Sequence, residues 1–308
     1  MKVLFVDTVH PALWEGLVAN GYQCVEGYHL SKEEVQAIIS DYQGIVIRSR
    51  FQIDAPFLDA CTHLKFIARS GSGLENIAVE HAEKKGVHCL NAAEGNAQAV
   101  AEHALGMLLT LFNKLNTADQ EVRNGIWKRE ANRGEELAGK TIGIIGYGNN
   151  GSALAKALQG FGCRVIAYDK YRKGFGNEWV EEVDMDTLFL ETEVLSLHIP
   201  LTKETQYLFN DHYLVQFQKS IYLLNTARGK CVNTATVVKG LESGQLLGAC
   251  LDVFEFEKSS FEQLEQMPKE LLTLTQSKKA LLSPHVAGWT QQSYRKLSDV
   301  LLAKILKL

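Results

Sequence analysis

The stretch from Thr141 to Asp169 constrains this chain more than any other part of its sequence. It opens with an apolar run, passes through a glycine cluster at 146–151, continues with a helix-forming run, and closes with a second apolar run that ends at Asp169. This order of strand, tight turn, helix, strand and acid is typical of a dinucleotide-binding fold. A structural turn without a ligand is the alternative interpretation of the same pattern.

The three glycines of the cluster have distinct predicted roles. Gly146 permits the tight turn, Gly148 lets backbone approach a pyrophosphate, and Gly151 lets helix and strand pack closely. The helix that starts at Asn149 and Asn150 would offer free N–H groups and a positive dipole end to the phosphates. We therefore predict that these residues line a dinucleotide site.

The acid at the end of the second apolar run bears on which dinucleotide is bound. Asp169 follows Gly146 by about 20 residues, where a carboxylate can bond the ribose hydroxyls. A carboxylate there favours NAD over NADP because it repels a 2′-phosphate. The nearby cations Lys170, Arg172 and Lys173 favour the opposite preference more weakly.

Composition excludes several classes of protein. A chain of 308 residues is long enough for two domains, and a net charge of −4 argues against non-specific nucleic-acid binding. The N-terminal apolar run is too short for a signal peptide, and the longest apolar stretch, at 104–112, is about half of a membrane span. Six cysteines without a Cys-x-x-Cys pair predict a reduced, cytoplasmic protein. We expect neither a membrane partner nor a bound metal.

The first ninety residues alternate apolar runs with helical patterns, which predicts a mainly parallel sheet covered on both faces. Predicted strands are Val3–Val6, Gln23–Val25, Ile45–Ile47, Lys65–Ile67 and Val87–Leu90. Ser31 and Glu34 form a capping-box pattern before a helix. Gly21 and Gly86 follow helical runs where a left-handed residue is expected.

A long helix is predicted over 97–116, where it could bridge two domains or pair with a second subunit. Further strands are predicted at Val194–Leu197, Ile221–Leu224, Ala249–Leu251 and Ala280–Leu282, and a last helix at 293–308. Nearly half the chain precedes the glycine cluster, so the cofactor domain cannot begin the chain. We therefore predict an α/β fold with two doubly wound parallel-sheet domains. A Rossmann cofactor domain, 96–286, is inserted into a flavodoxin-like substrate domain, 1–95 plus 287–308, and the two crossings can act as a hinge.

Three polar residues follow three successive late strands, where ligands of a doubly wound sheet bind. Arg228 offers a planar fork that matches a carboxylate. His285 can take the proton of a hydroxyl as hydride leaves its carbon, since histidine titrates near pH 6.5. Glu257 can bond the imidazole, fix its tautomer and favour its charged form. Each could also be an ordinary surface or strand-end residue; their joint placement favours a catalytic set.

These motifs together resemble the D-isomer-specific 2-hydroxyacid dehydrogenases, the family that includes D-3-phosphoglycerate dehydrogenase, over essentially the whole chain. The matching runs are Val100–His103, Asn225–Gly229, Asp252–Glu257 and Pro284–Gly288. The resemblance implies Arg228, Glu257 and His285 as the catalytic set. It also implies cofactor contacts, here Val100, His198, Pro200, Thr226, Ala227 and, at the nicotinamide carboxamide, Asp252. His198 could otherwise be a core histidine, and His103 is expected to be structural, at a dimer contact.

The resemblance also implies where the substrate binds. The loop Ser70-Gly71-Ser72-Gly73 resembles the family's substrate-carboxylate loop, because backbone N–H groups among glycines can cradle an anion. Arg48 and Arg50 resemble the arginines that face a substrate phosphate, and their spacing could put both on one strand face. A simple turn and a solvated loop are the respective alternatives.

The chain departs from the family pattern at two positions. Asn150 replaces an apolar residue at the helix–sheet junction, which could loosen the loop, and Lys258 stands where proline is common. The chain ends at Leu308 without room for a regulatory domain, so serine feedback is not expected. The family implies a homodimer through 97–116.

The sequence therefore predicts an NAD-dependent oxidoreductase acting on a D-2-hydroxy acid, with D-3-phosphoglycerate as the first substrate to test. Hydroxypyruvate, glyoxylate and pyruvate carry the same 2-oxo acid head and remain alternatives, as reductase or D-lactate-type activities. An NADH-sensing binding protein without turnover is the alternative of another class.

Overall fold

The computed structural model describes residues 1–258 and 264–308. This part of the chain folds into two compact units. The first contains Met1–Ala97, Lys258 and Trp289–Leu308, and the second contains Gln98–Glu257 and Leu264–Gly288. The chain thus passes between the units after Ala97, after Glu257 and after Gly288. The sequence suggested divisions at 95/96 and 286/287 only.

The first unit has a five-stranded parallel sheet in the order β2-β1-β3-β4-β5. Its strands are β1 Lys2–Phe5, β2 Gln23–Glu26, β3 Gly44–Ile47, β4 Phe66–Arg69 and β5 His88–Leu90. The helices between them are α1 Pro11–Ala19, α2 Lys32–Ile38, α3 Ala55–Asp59 and α4 Val79–Lys84. This order is that of flavodoxin-like folds, as predicted, and its switch point lies between β1 and β3.

Two local signals in the first unit are confirmed. Ser31 and Glu34 form a capping box at α2, in which each side chain bonds the other residue's backbone N–H. Gly21 and Gly86 have φ values of +80° and +73°, the left-handed conformation that ends a helix at little cost for glycine.

The helix predicted over 97–116 is wrong in its bounds. Helix α5 spans Ala93–Phe112, and a separate helix, α6, spans Leu115–Arg123. Lys114, with φ of 52°, breaks the path between them. No glycine or proline marks that break, and the apolar periodicity runs through it to Leu115, which is 54% exposed.

The second unit has a seven-stranded parallel sheet in the order β8-β7-β6-β9-β10-β11-β12. Counted from β6 this is 3-2-1-4-5-6-7, the Rossmann order with one further strand. Its strands are β6 Thr141–Ile145, β7 Arg164–Tyr168, β8 Glu181–Glu182, β9 Val194–Leu197, β10 Ile221–Asn225, β11 Leu246–Leu251 and β12 Ala280–Leu282. Its helices are α7 Asn149–Ala157, α8 Met185–Glu191, α9 Asp211–Leu214, α10 Thr234–Ser243 and α11 Lys269–Gln276. Only the short, charged β8 had no apolar signal.

The last helix, α12, spans Gln291–Ile305 and belongs to the first unit. Its apolar stripe, Leu297, Leu301 and Ile305, joins the buried cluster that includes Phe5. In the second unit, every residue of β6 is buried because helices cover both faces of the sheet. Within the described residues, no helix is both long and apolar enough to cross a membrane.

Candidate active site

The glycine turn has the geometry that its three predicted roles require. Gly146 has φ of +92°, and a Cβ there would lie 2.4 Å from the carbonyl oxygen of His198. A Cβ at Gly151 would lie 2.1 Å from the carbonyl oxygen of Gly146, so only glycine permits that approach of helix to turn. Gly148 instead faces open space, because no atom of the described residues lies within 4 Å of a Cβ built there. The turn lies at the switch point between β6 and β9, where such sheets bind ligands.

Asp169, at the end of β7, holds the glycine turn in place. Its Oδ2 accepts the N–H of Tyr147 at 2.8 Å, and its Oδ1 accepts the N–H groups of Tyr171 and Arg172 at 2.9 Å each. Burial alone would raise the pKa of this carboxyl, but these N–H groups and the charge of Arg172 outweigh it and lower the pKa. The acid is therefore an anion at neutral pH, beside the turn.

Three buried polar atoms around this switch point have no hydrogen-bond partner among the described residues. They are Nδ1 of His198 after β9, Oγ1 of Thr226 after β10, and Oδ1 of Asn150 in the first turn of α7. His198 bonds Ser196 through Nε2 at 2.8 Å, and burial lowers its pKa to about 4, so the ring is neutral. Unpaired buried groups are costly, and a polar ligand would satisfy them. The residues present therefore fit a dinucleotide.

The loop after β10 owes its shape to Asn225, which is fully buried. Its Oδ1 accepts the N–H of Ala227 at 3.0 Å, and its Nδ2 donates to the carbonyl oxygen of Arg228 at 3.1 Å. A Cβ at Gly229 would lie 2.0 Å from the carbonyl group of Phe254, so glycine lets this loop approach the next one. Arg228 is half-buried at the centre of this fixed turn.

Glu257 and His285 are paired directly. Oε2 of Glu257 lies 2.6 Å from Nδ1 of His285, and the two side chains are 10% and 24% exposed. The other oxygen of Glu257 accepts the N–H of Phe254. The neighbouring acid, Glu255, instead accepts the N–H of Thr234 at 2.8 Å, so the structure distinguishes the two carboxylates of this loop.

Asp252, 1% exposed, organises the loop that carries the histidine. Its carboxylate accepts the Ser283 hydroxyl at 2.6 Å and the N–H groups of Val286 and Ala287 at 2.9 and 2.8 Å. Its carbonyl oxygen accepts the N–H of His285 at 2.7 Å. His285 has φ of +55°, an uncommon conformation for a residue with a side chain. These bonds around Asp252 hold the backbone in that conformation.

His103 contributes to the same network from α5. Its Nε2 lies 3.0 Å from the Ser283 hydroxyl and 3.5 Å from Asp252. Burial would raise the pKa of Asp252, but the bonds from His103, Ser283 and the backbone outweigh it and lower the pKa. The residue expected at a dimer contact thus bonds the loop that carries His285 in its own chain.

The sequence suggested that Arg48 and Arg50 share one face of a strand. In the structure they do not. Strand β3 ends at Ile47, and both arginines lie in the loop after it. Their backbone N–H groups donate to Oδ2 of Asp7, at 2.6 and 3.3 Å, and this turns the chain out of the sheet. Nη1 of Arg50 donates to the carbonyl oxygen of Val6 at 2.9 Å.

The loop Ser70–Gly73 follows β4, and hydrogen bonds to two asparagines outside the loop hold it in place. The Ser72 hydroxyl donates to Oδ1 of Asn96 at 2.6 Å, and Asn91 donates to the carbonyl oxygen of Ser72 at 2.7 Å. Sequence reasoning missed Arg69, which is 9% exposed. A Cβ at Gly71 would lie 2.0 Å from its Nη1, so this glycine makes room for the guanidinium. A charged residue that directly ends an apolar strand was the available signal.

The remaining predicted residues are positioned as follows. Asn149 is exposed at the start of α7, and Pro200 is exposed after β9. Val100 on α5 and Ala227 after β10 are buried, at 4% and 5% exposure. In residues 1–258 and 264–308, no group of three His, Cys, Asp or Glu residues is placed to hold a metal ion.

Comparison with known proteins gives concordant matches. The sequence profile of the D-isomer specific 2-hydroxyacid dehydrogenase NAD-binding domain matches residues 105–287. The chain is 36% identical over 283 residues to a hydroxypyruvate reductase of Thermotoga maritima, and the aligned region covers 92% of this chain and 90% of that protein. It is 31% identical over 303 residues to human D-3-phosphoglycerate dehydrogenase, which covers 97% of this chain but 54% of that protein. The crystal structure of TT0316 from Thermus thermophilus superposes with a TM-score of 0.83 at 29% identity, over 99% of this chain and 96% of that one.

Proposed function

This chain belongs to the D-isomer specific 2-hydroxyacid dehydrogenases, NAD-dependent enzymes that act on 2-hydroxy acids, and we propose that its substrate pair is D-3-phosphoglycerate and 3-phosphohydroxypyruvate. The observation that carries the reaction is the paired Glu257 and His285 at the strand ends that follow the dinucleotide turn. The observation that favours a phosphorylated acid is the arginine-rich edge of the first unit. The reaction would serve serine biosynthesis.

His285 is the proton relay of this proposal. NAD, when bound, takes up or gives the hydride. Because Nδ1 of His285 bonds Glu257, we assign Nε2 to the substrate. When the acid is oxidised, Nε2 takes the proton of its hydroxyl group, and Glu257 stabilises the imidazolium that results. In the reverse direction the imidazolium returns that proton to the carbonyl oxygen, an assistance worth roughly 10²–10⁴ in rate.

Arg228 binds the carboxylate of the 2-hydroxy acid in this proposal. Its planar fork of N–H donors matches a carboxylate in two bonds, which fixes the acid in one orientation. The clamp of Asn225 on both sides of the turn supports this role, since it leaves Arg228 little backbone freedom.

Cofactor contacts are proposed from the unpaired atoms of the second unit. Thr226 and His198 would satisfy their buried Oγ1 and Nδ1 through the nicotinamide half of the dinucleotide, while N–H groups of Gly148, Asn149 and Asn150 face its phosphates. Asp252 was expected at the carboxamide, but its oxygens already accept the Ser283 hydroxyl and two backbone N–H groups. We assign it to the loop that carries His285.

The first unit supplies the groups for the anionic end of the substrate. Arg48, with the charges of Arg50 and Arg69 beside it, would bind the phosphate, and N–H groups of the loop Ser70–Gly73 would bind oxyanions. The relative from Thermotoga maritima, named a hydroxypyruvate reductase, favours an unphosphorylated 2-oxo acid as a second candidate. Glyoxylate and D-lactate-type substrates follow from the same chemistry.

An assay of NADH oxidation with 3-phosphohydroxypyruvate, hydroxypyruvate, glyoxylate and pyruvate tests the proposal. We expect 3-phosphohydroxypyruvate to have the highest kcat/KM. A higher value for hydroxypyruvate would contradict the phosphorylated substrate and leave the reaction class intact. Tight NADH binding without turnover on any acid would indicate the NADH sensor instead.

We also propose a cytoplasmic homodimer. None of the α6 side chains is buried, and Leu115 and Val122 are each 54% exposed, which supports pairing near the predicted 97–116 region. The six cysteines are not joined in disulfides among the described residues, in keeping with a reducing compartment. Sedimentation equilibrium of the wild type and of a Leu115→Glu, Val122→Glu variant tests the dimer; a wild-type monomer would contradict it.

A further inference from the structure

The backbone of Arg48 is held from three sides at the switch point of the first unit. Its N–H donates to Asp7 at 2.6 Å, and its carbonyl oxygen accepts Nε of Arg69 at 3.1 Å and Nδ2 of Asn76 at 3.3 Å. Asp7 follows β1 and Arg48 follows β3, the two strands between which the order of the sheet reverses. Crevices at such points bind ligands in open α/β sheets.

The side chain of Arg48 is held as well, by Trp289. The guanidinium carbon lies 4.4 Å from the centroid of the indole ring, which is within the range of a cation–π contact. A cation–π contact uses the charge of the guanidinium and none of its N–H groups as hydrogen-bond donors, so those donors can still bind an oxyanion. The indole therefore restricts the arginine without occupying its donors.

Trp289 is itself fixed by the start of α12. Thr290 caps this helix in a reciprocal pair with Ser293, so Trp289 precedes the cap and Tyr294 occupies the fourth helical position. Their ring centroids are 6.0 Å apart, the arrangement of a hydrophobic staple. His10 packs edge-on against Tyr294, with centroids 5.5 Å apart. Any apolar residue at position 289 could form the staple. The staple therefore does not explain why an aromatic ring faces Arg48 here.

We propose that Trp289 is a specificity-determining residue, which sets the preference for a 2-oxo acid with an anionic group by holding the Arg48 guanidinium ready for that anion. This inference rests on the proposed function, because it takes Arg48 to be the reader of the phosphate. An arginine that is free to rotate must lose its rotamer freedom when the anion binds, whereas an arginine held against the indole has already lost part of it. The indole face thus strengthens binding of the anionic group alone.

The test compares kcat/KM for 3-phosphohydroxypyruvate with kcat/KM for hydroxypyruvate, as a ratio, in four variants. Trp289→Leu keeps an apolar staple but removes the aromatic face, and Trp289→Phe restores a smaller one. Arg48→Met removes the charge, and Trp179→Leu is the matched control, since Trp179 is 50% exposed and Trp289 is 51% exposed. Thermal unfolding of each variant monitors the staple.

We expect Trp289→Leu to lower the ratio about 3- to 5-fold, mainly through KM of the phosphorylated acid, a change that corresponds to about 0.6–1 kcal/mol for a contact at a half-exposed ring. Trp289→Phe should recover part of the loss, and Trp179→Leu should keep the wild-type ratio. A ratio that falls in Arg48→Met but not in Trp289→Leu would overturn this inference and leave the proposed substrate standing. A wild-type ratio near one would contradict the proposed substrate and this inference together. No change in Arg48→Met would contradict the assignment of Arg48 to the phosphate, and with it this inference.

Discussion

Replacing Asp252 with asparagine should disturb the loop that carries His285 without removing any group that the proposed mechanism uses. The carboxylate accepts the Ser283 hydroxyl and the N–H of Val286 at one oxygen, and the N–H of Ala287 at the other. An asparagine has a single acceptor oxygen, so at least one buried N–H would then face an NH₂ group.

The expected loss of stability follows from these contacts. A hydrogen bond to a charged group contributes about 1.5–3 kcal/mol, and a buried donor left without a partner costs about 1–3 kcal/mol. We therefore expect Asp252→Asn to lower the free energy of unfolding by about 3 kcal/mol. His285 is held at φ of +55°, so its backbone should relax once the clamp weakens, and kcat should fall by about 10²-fold, as for a misplaced catalytic group.

Urea unfolding, steady-state kinetics and NADH titration of Asp252→Asn test this reasoning. Ser283→Ala is the matched control, because it removes one neutral donor and should cost about 1 kcal/mol with a small change in kcat. The Kd for NADH should change less than kcat does. An Asp252→Asn variant with wild-type kcat would refute the assignment of Asp252 to the histidine loop.

Four further predictions concern single side chains. Glu257→Gln should lower kcat about 10- to 100-fold, since an imidazolium loses a charge-assisted bond of about 1.5–3 kcal/mol; steady-state kinetics at pH 7 would show an unchanged kcat if the pair has no catalytic role. Asn150→Leu should raise the free energy of unfolding by about 1 kcal/mol, because it removes a buried oxygen that has no partner among the described residues; a lower melting temperature would contradict this. His198 stays neutral in the folded chain down to about pH 4. As pH falls below 6.5, the unfolded chain therefore takes up a proton at this residue that the folded chain does not. The free energy of unfolding should fall by about 2 kcal/mol between pH 7 and pH 5 because of this group. His198→Gln should abolish that part of the loss in urea unfolding, and the exposed His63→Gln should not. Asp169→Ala should weaken NADH binding and relax the preference over NADPH, and equal turnover of both cofactors by the wild type would show that Asp169 does not discriminate.

Much of the fold followed from the sequence because its signals are local. Each late strand that the apolar runs predicted is present, and Val194–Leu197 and Ala280–Leu282 have the predicted bounds. The glycine turn was predictable because backbone sterics dictate it: Gly146 and Gly151 stand where a Cβ would meet carbonyl oxygens. The pairing of Glu257 with His285 followed from parallel strands, whose carboxyl ends meet at one edge.

What the sequence did not predict depends on contacts between distant residues. Lys114 has a left-handed conformation, and no glycine or proline nearby indicates it. The helix predicted over 97–116 therefore included a residue at which the helix is interrupted. Arg48 and Arg50 leave the strand because Asp7, 41 and 43 positions earlier, accepts their N–H groups. The bonds of Asp252 to the loop of His285, and the contact of Trp289 with Arg48, depend on the conformation of loops. Hydrophobic periodicity in the sequence does not predict loop conformation.

The central claim is that His285, paired with Glu257, moves the proton of a D-2-hydroxy acid while NAD moves the hydride. The most direct measurement is NADH oxidation by 3-phosphohydroxypyruvate in the wild type and in His285→Ala, with the Kd for NADH measured on both proteins. We predict that kcat falls by roughly 10²–10⁴ in the variant while the Kd for NADH stays within about twofold. A His285→Ala enzyme with wild-type turnover would contradict the claim.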